Sequence, residues 1–525
     1  MPTHKEVSTV FSRAPAGLEA PLVRVEVHLG TGLPAFVLVG LPEAVVRESK
    51  ERVRAALITA GYDFPQRRIT VNLSPADLPK EGGRFDLPIA VGILAADRKI
   101  HAHALKNQEF YGELSLGGAL RETRKLLPAL IAGAKNGSEM ILPAANALEA
   151  SLVDGAKLRL MNHLSEVVAA LGGREAARSM PSAQPGRSES DEQRELEQQN
   201  ACRVMSRGAL KPAADLADIR GQYAAKRALE IAAAGEHGLL MIGPPGTGKS
   251  SLAQRLPGLL PPLSGPEILE VASLESAAGH RPNSTRVRPF RSPHHTASMA
   301  ALIGGGAMRP GELSLAHHGV LFLDELPEFP RNALEAMREP LETGTVILAR
   351  LKGSSEFPAR FQLVAAMNPC PCGYAGDPRG RCHCTAAQVA RYLNRISGPL
   401  IDRIDIHIEL AALPVEHLMG PSGEKSEPSA TVAQRVAAAR SLQLRRQGKL
   451  NARLIPAEVA RFCALDRSSR ALIATAVARV GLSARAYHRV LKVARTCADL
   501  GGAPDIRIAD VAEAVKLRAL DRPTC

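Results

Sequence analysis

The chain has 525 residues, 45% of them hydrophobic, which suffices for packed cores in roughly three to four domains. Its formal net charge of +13 suits a polyanionic partner, and a general excess of arginine is the alternative explanation. The 3% aromatic content disfavours base stacking, and the lack of an apolar stretch of roughly 18 residues or of a signal-peptide core predicts a cytoplasmic protein without a membrane partner.

Residues 21–96 alternate apolar strands with helices, and this pattern predicts an α+β domain over residues 1–171. Residues 34–40 are mostly apolar and predict a short buried strand, and residues 43–60 predict a helix with one apolar face. The other predicted elements are strands over residues 22–30 and 67–73, helices over residues 87–96 and 126–133, and a strand followed by a helix over residues 139–152.

Three segments, residues 36–57, 69–90 and 111–122, resemble the ribosomal-S5/Lon-protease-like domain found at the front of bacterial magnesium-chelatase-like proteins. Lon-type proteases carry their nucleophilic serine in a DGPSAG-like turn. The matching turn here, residues 81–86, holds no serine, and a Ser-Lys protease requires that nucleophile. Lon-like proteolysis is therefore disfavoured, and we interpret the domain as a scaffold, an assembly module or a DNA-contact module.

The composition changes abruptly at residues 172–213, which are rich in serine, glutamate, glutamine, proline and arginine. Such a segment buries too little apolar surface to offset the entropy that ordering costs. It predicts a linker or surface loop and the clearest domain boundary of the chain.

A phosphate-binding loop follows a predicted buried strand over residues 239–242. Residues 243–250 fit the pattern GxxxxGK[ST], and an apolar helical stretch comes next. Glycines let backbone N–H groups turn toward phosphates, Lys249 reaches the β- and γ-phosphates, and the Ser250 hydroxyl binds Mg²⁺. The sequence therefore predicts an ATP and Mg²⁺ site formed by Gly243, Pro244, Pro245, Gly246, Thr247, Gly248, Lys249, Ser250 and Ser251.

Polar residues follow two further predicted strands. Asp324 and Glu325 come directly after the apolar residues 320–323, where a pair of carboxylates is costly unless it is used. Asp324 would hold the Mg²⁺ shell, and Glu325 would polarise the water that attacks the γ-phosphate. Asn368 ends the strand FQLVAAM and would orient that water or sense the γ-phosphate, with a turn-forming asparagine before proline as the alternative.

Arg403 lies between two acidic residues in the segment PLIDRIDIHIEL. An arginine at this place suits a finger that neutralises transition-state charge in a neighbouring subunit. Ion pairing with Asp402 or Asp405 is the alternative.

Two insertions interrupt the core. Residues 291–309 are rich in glycine and contain the histidine pair His294-His295. A second pair, His317-His318, follows this insertion. Because adjacent histidines rarely bind one metal ion, hydrogen-bonded roles are favoured over metal binding for both pairs. The second insertion, residues 345–360, alternates, turns at a Gly-Ser-Ser sequence and returns, which predicts a β-hairpin. Near its tip, Arg350 and Lys352 would grip DNA phosphates without reading sequence, and an ordinary solvated hairpin is the alternative.

Cys370, Cys372, Cys382 and Cys384 form the pattern C-x-C-x₉-C-x-C directly after Asn368. Four thiolates at this spacing can close a tetrahedral Zn²⁺ site on a loop with little core of its own. Redox-silent thiols are the alternative, since the usual spacing is C-x₂₋₄-C. The remaining cysteines are scattered and predict packing or surface roles: Cys202, Cys463, Cys497 and Cys525.

Residues 430–520 have helical periodicity and predict about five helices, with Ser483 able to cap the helix that carries Arg485. We expect these helices to form a lid over the nucleotide.

Most of the chain resembles the magnesium-chelatase-like group of AAA+ ATPases, and within it the ComM (YifB) family. That family resemblance implies a finger role for Arg403, a second-sensor role for Arg485, a pore-facing loop and pore hairpin in the two insertions, and hexameric rings. Gly238 departs from the family pattern, where asparagine is expected. The resemblance rests on residues 218–235, 243–250, 288–306, 309–329, 365–373 and 482–500.

The expected architecture is an S5/Lon-like domain at 1–171, a flexible linker at 172–213, an AAA+ core with a parallel sheet at 214–413 and a helical lid at 414–525. The resemblance implies an ATP-hydrolysing hexameric DNA motor, a branch-migration helicase that acts on recombination intermediates during natural transformation. An ATPase chaperone that remodels a protein partner, as in magnesium chelatase, is the alternative.

Overall fold

In a computed structural model, the described residues are 7–40, 44–76, 78, 80–173, 214–282, 285–306, 308–350, 353–376, 380–411, 427–480 and 483–518. Almost all of the predicted linker lies outside them, and so do Lys352, Cys202, Cys525 and the side chain of Arg350.

The N-terminal region contains both strands and helices, as the sequence pattern predicts. Its strands are β1 (Val7–Arg13), β2 (Leu22–Gly30), β3 (Ala35–Val39), β4 (Arg68–Ser74), β5 (Gln108–Phe110), β6 (Glu113–Leu114), β7 (Leu120–Arg121), β8 (Glu139–Pro143) and β9 (Lys157–Met161). Its helices are α1 (Ala44–Thr59), α2 (Asp86–Ala96), α3 (Leu127–Lys135), α4 (Ala147–Ala150) and α5 (Leu164–Ala170). Seven of the strands form one mixed sheet in the order β3-β4-β2-β1-β5-β8-β9.

The strand β3 corrects one expectation. Its apolar sequence predicts a buried strand, yet its side chains alternate between exposed and half-buried. The reason is its place in the sheet: β3 pairs only with β4 and forms an edge. Apolar composition predicted a strand here but did not reveal which of its faces would be covered.

The central region is built on a second, fully parallel sheet in the strand order β11-β14-β17-β10-β18. Its strands are β10 (Leu239–Ile242), β11 (Phe290–Arg291), β14 (Val320–Leu323), β17 (Gln362–Met367) and β18 (Ile406–Glu409). Two short pairs complete the strands, β12 (Gly304–Gly305) with β13 (Arg309–Pro310) and β15 (Thr345–Arg350) with β16 (Gly353–Pro358). The helices are α6 (Tyr223–Gly235), α7 (Lys249–Leu259), α8 (Gly265–Ala278), α9 (Met299–Ile303), α10 (Glu312–Leu315), α11 (Arg331–Ala336), α12 (Arg338–Thr343), α13 (Ala386–Leu393) and α14 (Gly398–Ile401).

Parallel pairing decides where the polar residues at the strand ends meet. β17 lies between β10 and β14, and all three strands are buried along their whole length. Their carboxyl ends therefore share one edge of the sheet. This edge receives the phosphate-binding loop after β10, Asp324 after β14 and Asn368 after β17.

The predicted hairpin over residues 345–360 is confirmed as the antiparallel pair β15 and β16. Val346, Leu348 and Phe357 are buried in the core beside the sheet, whereas Ile347 on the opposite face is 58% exposed. The hairpin is thus held by one face.

Five α-helices follow in the C-terminal region as described, in agreement with the periodicity: α15 (Ser429–Gln447), α16 (Pro456–Phe462), α17 (Arg467–Val480), α18 (Ala484–Leu500) and α19 (Ile508–Lys516). Val436 of α15 and Val490 of α18 belong to the same hydrophobic core as Leu229 of α6 and Leu252 of α7. The helices therefore pack, together with α6 and α7, against one face of the parallel sheet.

A buried polar network joins the C-terminal helices to β18. His237 places Nδ1 3.0 Å from Asp405 Oδ2 and Nε2 2.7 Å from the Thr496 hydroxyl, and Arg489 of α18 pairs with the other Asp405 oxygen. Burial raises the pKa of Asp405, but Arg489 and His237 together outweigh burial, so this pKa lies below its ordinary value. The buried carboxylate is thereby kept ionised and fully paired.

The N-terminal region packs on α8. Ser276 of α8 donates its hydroxyl hydrogen bond to Glu149 Oε1 at 2.6 Å, and the same oxygen accepts from the Leu127 N–H group at 2.8 Å. Ala272, one turn earlier on α8, is fully buried in the apolar cluster of the N-terminal region. The two regions thus share both a buried carboxylate and a hydrophobic contact.

Candidate functional site: a phosphate loop at the edge of a parallel sheet

The phosphate-binding loop connects β10 to α7, as the sequence pattern predicts. Gly246 and Gly248 have φ angles of 78° and 88°, a region that favours glycine. Gly248 precedes the first residue of α7, so the backbone N–H groups of the first helical turn are available to an anion. The Thr247 hydroxyl donates to the Pro244 carbonyl at 2.9 Å and fixes the curvature of the loop.

Lys249 is largely buried, and oxygen atoms surround its ammonium group. Nζ donates to the carbonyl oxygens of Gly243 at 2.6 Å and Pro244 at 2.9 Å, and it lies 3.3 Å from Asn368 Oδ1. Burial lowers the pKa of Lys249, and the two carboxylates after β14 offset part of this effect. The structure therefore brings the predicted sensor Asn368 into direct contact with the lysine of the loop.

Ser250 and Asp324 also meet at this edge. The Ser250 hydroxyl donates to Asp324 Oδ2 at 2.6 Å, and the Glu325 N–H group donates to Asp324 Oδ1 at 3.0 Å. A hydroxyl oxygen beside a carboxylate oxygen is the kind of donor set that Mg²⁺ prefers. The residues present thus fit a magnesium ion held together with a nucleotide, and Ser251, the next residue of α7, is exposed.

Arg403 has a partner that the sequence did not indicate. Its guanidinium pairs with Glu342 of α12 and donates to the Pro399 carbonyl at 2.7 Å, rather than pairing with Asp402 or Asp405. Its side chain is only 9% exposed in this arrangement. Among the described residues, no hydrogen bond or ion pair joins Arg403 to the phosphate loop of its own chain.

Arg485 lies in the first turn of α18, and the Ser483 side chain caps that helix as predicted, accepting from the Ala486 N–H group at 3.1 Å. Arg485 itself is exposed. In the described part of the chain it makes no ion pair, whereas Arg489, one turn further, is held by Asp405. The structure does not bring Arg485 to the phosphate loop.

The four clustered cysteines converge. Sγ of Cys370 lies 3.3 Å from Sγ of Cys372 and 3.8 Å from Sγ of Cys382, and the Cys372 and Cys382 sulfurs are 3.6 Å apart. With Cys384, the four sulfur atoms all lie within 4.8 Å of one another. A tetrahedral zinc site with Zn–S bonds of about 2.3 Å places its sulfurs about 3.8 Å apart, so the donors fit such an ion.

The cysteine loop also contacts the phosphate loop. Gly373 has a φ angle of 84°, and a Cβ atom added there would lie only 2.9 Å from Cδ of Pro245. The residue therefore packs against the phosphate loop at a distance that only glycine allows. The sequence did not reveal this contact, and the only signal was the glycine that follows Cys372 in the segment after Asn368.

The second histidine pair, His317 and His318, lies beside a carboxylate. His317, His318 and Glu270 lie close enough to be considered as metal ligands. However, the Arg360 N–H group donates to His317 Nδ1 at 3.0 Å, which leaves the proton on Nε2, 3.0 Å from Glu270 Oε2. Burial lowers the pKa of His317 to about 4, so the ring stays neutral. The predicted hydrogen-bonded role of His317 is confirmed.

Gln222 is another contact of the phosphate loop that sequence reasoning missed. Its amide donates to the Thr247 carbonyl at 3.3 Å and to the Ala411 carbonyl at 2.9 Å, and its backbone has a φ angle of 53°. It lies in the segment DIRGQYAAKR, whose Gly-Gln turn before a helix was the available signal. Gln222 thereby links the start of α6 to the nucleotide site.

The parallel sheet with this loop at its edge agrees with comparisons to known families. Residues 215–418 match the family of magnesium chelatase subunit ChlI, residues 25–146 match a further ChlI family, and residues 426–518 match the ChlI C-terminal family. The chain is an ATPase of the magnesium-chelatase-like AAA+ class. Within the described ranges, none of the helices has both the length and the apolar character that crossing a membrane requires.

The comparison with individual proteins is more specific. The chain is 48% identical to competence protein ComM of Haemophilus influenzae, over 98% of each chain. It is 46% identical to the proteins named YifB of Salmonella typhimurium and Escherichia coli, again over 98% of each chain. The chain therefore belongs to the ComM (YifB) family, as its motifs predicted.

The packing of Gly373 on Pro245 predicts that Gly373→Ala lowers ATP affinity by roughly tenfold, because the added methyl group must displace the phosphate loop. Titration with a fluorescent ATP analogue measures this. Gly376→Ala is the matched control, since Gly376 has a similar φ angle of 78° but no atom within 4 Å of the added methyl group. An equal loss in both variants would assign the effect to backbone strain alone.

Proposed function

We propose that the chain is an ATP-hydrolysing motor that assembles as a hexamer and moves DNA. In this proposal it acts as a branch-migration helicase on recombination intermediates during natural transformation. The observation that carries it is a phosphate loop in contact with Asn368 and Asp324, in a chain that aligns over 98% of its length with a protein named for competence.

Nucleotide binding follows from the site geometry. Lys249, Ser250 and Asp324 would hold ATP and Mg²⁺, and the ion supplies charge neutralisation for the transferred phosphoryl group when it is bound. When ATP binds, Lys249 would exchange its carbonyl partners for phosphate oxygens. The negative charge of the phosphates would then offset the free-energy cost of burying its ammonium group. Glu325 then takes a proton from the attacking water, and Asn368 holds that water beside the lysine.

Assembly into a ring is proposed from the position of the arginines. Neither Arg403 nor Arg485 contacts the phosphate loop of its own chain in the described residues. For Arg403 to act as a finger, it must leave Glu342 for the phosphate of a neighbouring subunit, so that each site is completed across an interface. Arg485, exposed at the start of α18, would act as the second sensor in the helical lid that we propose for residues 414–525.

DNA contact is proposed for the hairpin. Its inner face is anchored in the core, and Arg350 and Lys352 would contact DNA phosphates without reading sequence. A net charge of +13 favours a polyanion in the pore of the ring. The S5/Lon-like domain, residues 1–171, would serve as a scaffold on this ring, and the protein would act in the cytoplasm.

Zinc is proposed for the cysteine cluster. The separations of its sulfur atoms suit a single tetrahedral ion, and no helix or strand lies among the described residues 370–376 and 380–384. The ion would fix Gly373 against Pro245 and keep Asn368 at its place beside Lys249. Its role is structural, because four thiolates leave no open position for chemistry.

If the protein is a DNA motor, we expect forked or three-stranded DNA to accelerate ATP hydrolysis, and this acceleration should weaken as the salt concentration rises. Lys249→Ala should lower hydrolysis by at least about a hundredfold with or without DNA. Arg350→Ala combined with Lys352→Ala should abolish the response to DNA and leave the basal rate intact. Steady-state ATPase assays at two salt concentrations measure all three effects.

The matched control for the hairpin is Arg467→Ala combined with Arg470→Ala, which removes the same charge from exposed positions of α17. This variant should respond to DNA like the unmodified protein. If DNA changes no rate at either salt concentration, the chaperone that remodels a protein partner becomes the better hypothesis.

A shared site predicts complementation between inactive subunits. Lys249→Ala and Arg403→Ala should each be inactive, whereas an equal mixture should regain activity because about a quarter of the sites then combine an intact lysine with an intact arginine. Mixing Lys249→Ala with Asp324→Asn is the control, since these residues belong to one site in one chain. If both mixtures regained activity equally, or if neither mixture regained any, a finger supplied by Arg403 would be contradicted.

The zinc proposal predicts one zinc ion per chain by elemental analysis. Cys382→Ala combined with Cys384→Ala should remove the ion and weaken ATP binding, because the cysteine loop then loses its support for the phosphate loop. Cys463→Ala, at a buried cysteine outside the cluster, should keep the ion. Purified protein without zinc and with four rapidly reacting thiols would refute the site.

A further inference from the structure

A cavity of about 370 Å³ lies between the N-terminal region and the first insertion of the core. It is lined by residues 81–84 of the turn that holds no serine, by residues 122–125 and by Arg309 of β13. A second cavity of about 260 Å³ shares residues 122–125 and extends to the residues that follow α8. Cavities of this size accommodate small molecules, and neither the ATP site nor the hairpin contributes a residue to them.

The charges around the first cavity are unequally paired. Each of the three carboxylates that line it lies within 4.0 Å of a cationic nitrogen: Glu81 of Lys125, Glu113 of Arg121 and Glu122 of Arg281. Arg124 and Arg309 line the same cavity and are exposed, and within the described ranges their side chains form no ion pair or hydrogen bond. Two guanidinium groups, one from each region, are therefore available to an anion.

Arg84 also lines this cavity, and it is 3% exposed. Its guanidinium donates to the main-chain carbonyl oxygens of Arg124 at 2.6 Å, Lys125 at 2.9 Å and Arg13 at 3.3 Å. Among the described residues it forms no ion pair with a carboxylate. Burial lowers the pKa of Arg84 to about 10, so the group still carries its charge at neutral pH. A buried cation is unfavourable without a counter-charge, and an anion in the cavity would supply one.

The segment over residues 122–125, which both cavities share, is held in place. The Thr123 N–H group donates to Asn146 Oδ1 at 2.9 Å, and Asn146 Nδ2 donates to the Thr123 carbonyl at 2.8 Å. Lys125 has a φ angle of 58°, in the left-handed region that favours glycine. The Thr123 hydroxyl is buried, and in the part of the chain that the structure describes it has no hydrogen-bond partner. The segment is thus preorganised, which lowers the entropic cost of binding a ligand.

The chemistry of these groups favours a phosphate. Arginine binds phosphate oxygens through paired hydrogen bonds, and a phosphate group carries more negative charge than a carboxylate. The second cavity reaches Glu149, where the hydrogen bond from Ser276 joins the two regions. A space that ends at such a contact suits a small ligand rather than a polymer strand, which would have to pass through it.

We propose that this cavity is a second phosphate site, separate from the ATP site, which binds a phosphorylated small molecule through Arg124 and Arg309 beside the buried Arg84. A ligand held by both exposed arginines would tie the N-terminal region to the first insertion and stabilise their contact. The site goes beyond the proposed motor, because it uses no residue of the phosphate loop or the hairpin.

The test measures binding of pyrophosphate by isothermal titration calorimetry to the full chain carrying Lys249→Ala, which weakens the ATP site. Pyrophosphate should still bind to this protein and raise its midpoint of thermal unfolding. Arg124→Ala and Arg309→Ala, each added to Lys249→Ala, should each weaken binding by about tenfold, because each removes a charged donor to the ligand. Both arginines are exposed, so these variants should fold like the parent protein.

The matched control is Arg24→Ala combined with Arg286→Ala in the same protein, which removes one exposed arginine from each region without touching either cavity. It should bind pyrophosphate like its parent. The proposal would be overturned if pyrophosphate did not bind, if neither cavity variant weakened its binding, or if the control weakened it equally. It would also be overturned if a single-stranded oligothymidylate, but not pyrophosphate, bound through Arg124 and Arg309, since the site would then serve DNA.

Discussion

The parallel pairing of β10, β17 and β14 is the constraint on which the nucleotide site depends. It places the phosphate loop, Asn368 and Asp324 on one edge, although these residues are far apart along the chain. Two contacts then fix the site: the Ser250 hydroxyl with Asp324, and the Lys249 ammonium group with Asn368. Each joins the loop after β10 to the end of a neighbouring strand, so any shift in the sheet register would separate the groups that must act together.

The elements around this edge connect the site to three other parts of the molecule. His295 reaches Glu325, the cysteine loop reaches Pro245 through Gly373, and Gln222 reaches the phosphate loop from the start of α6. All three contacts come from segments that follow or precede the elements of the sheet. The state of the nucleotide can therefore be influenced from the insertions, from the cysteine cluster and from the helices that pack on α6.

The sequence predicted what depends on neighbouring residues. The phosphate loop, the buried strands before Asp324 and Asn368, the hairpin and the five C-terminal helices follow from local patterns, and the structure contains each of them. Contacts set by tertiary packing could not be predicted: Arg403 pairs with Glu342 rather than with the adjacent aspartates, and Glu325 with His295. The prediction of a buried strand over residues 34–40 was wrong, because β3 is an exposed edge strand and apolar composition does not reveal the order of strands in a sheet.

The contact between α8 and the N-terminal region has a consequence for how the chain can be divided. Glu149 is buried and receives hydrogen bonds from both sides, from Leu127 and from Ser276. Removing the N-terminal region would expose Ala272 and deprive Ser276 of its acceptor, and removing α8 would leave a buried carboxylate short of a donor. The two regions therefore complete each other's buried surface at this contact, and dividing the chain between them would destabilise both.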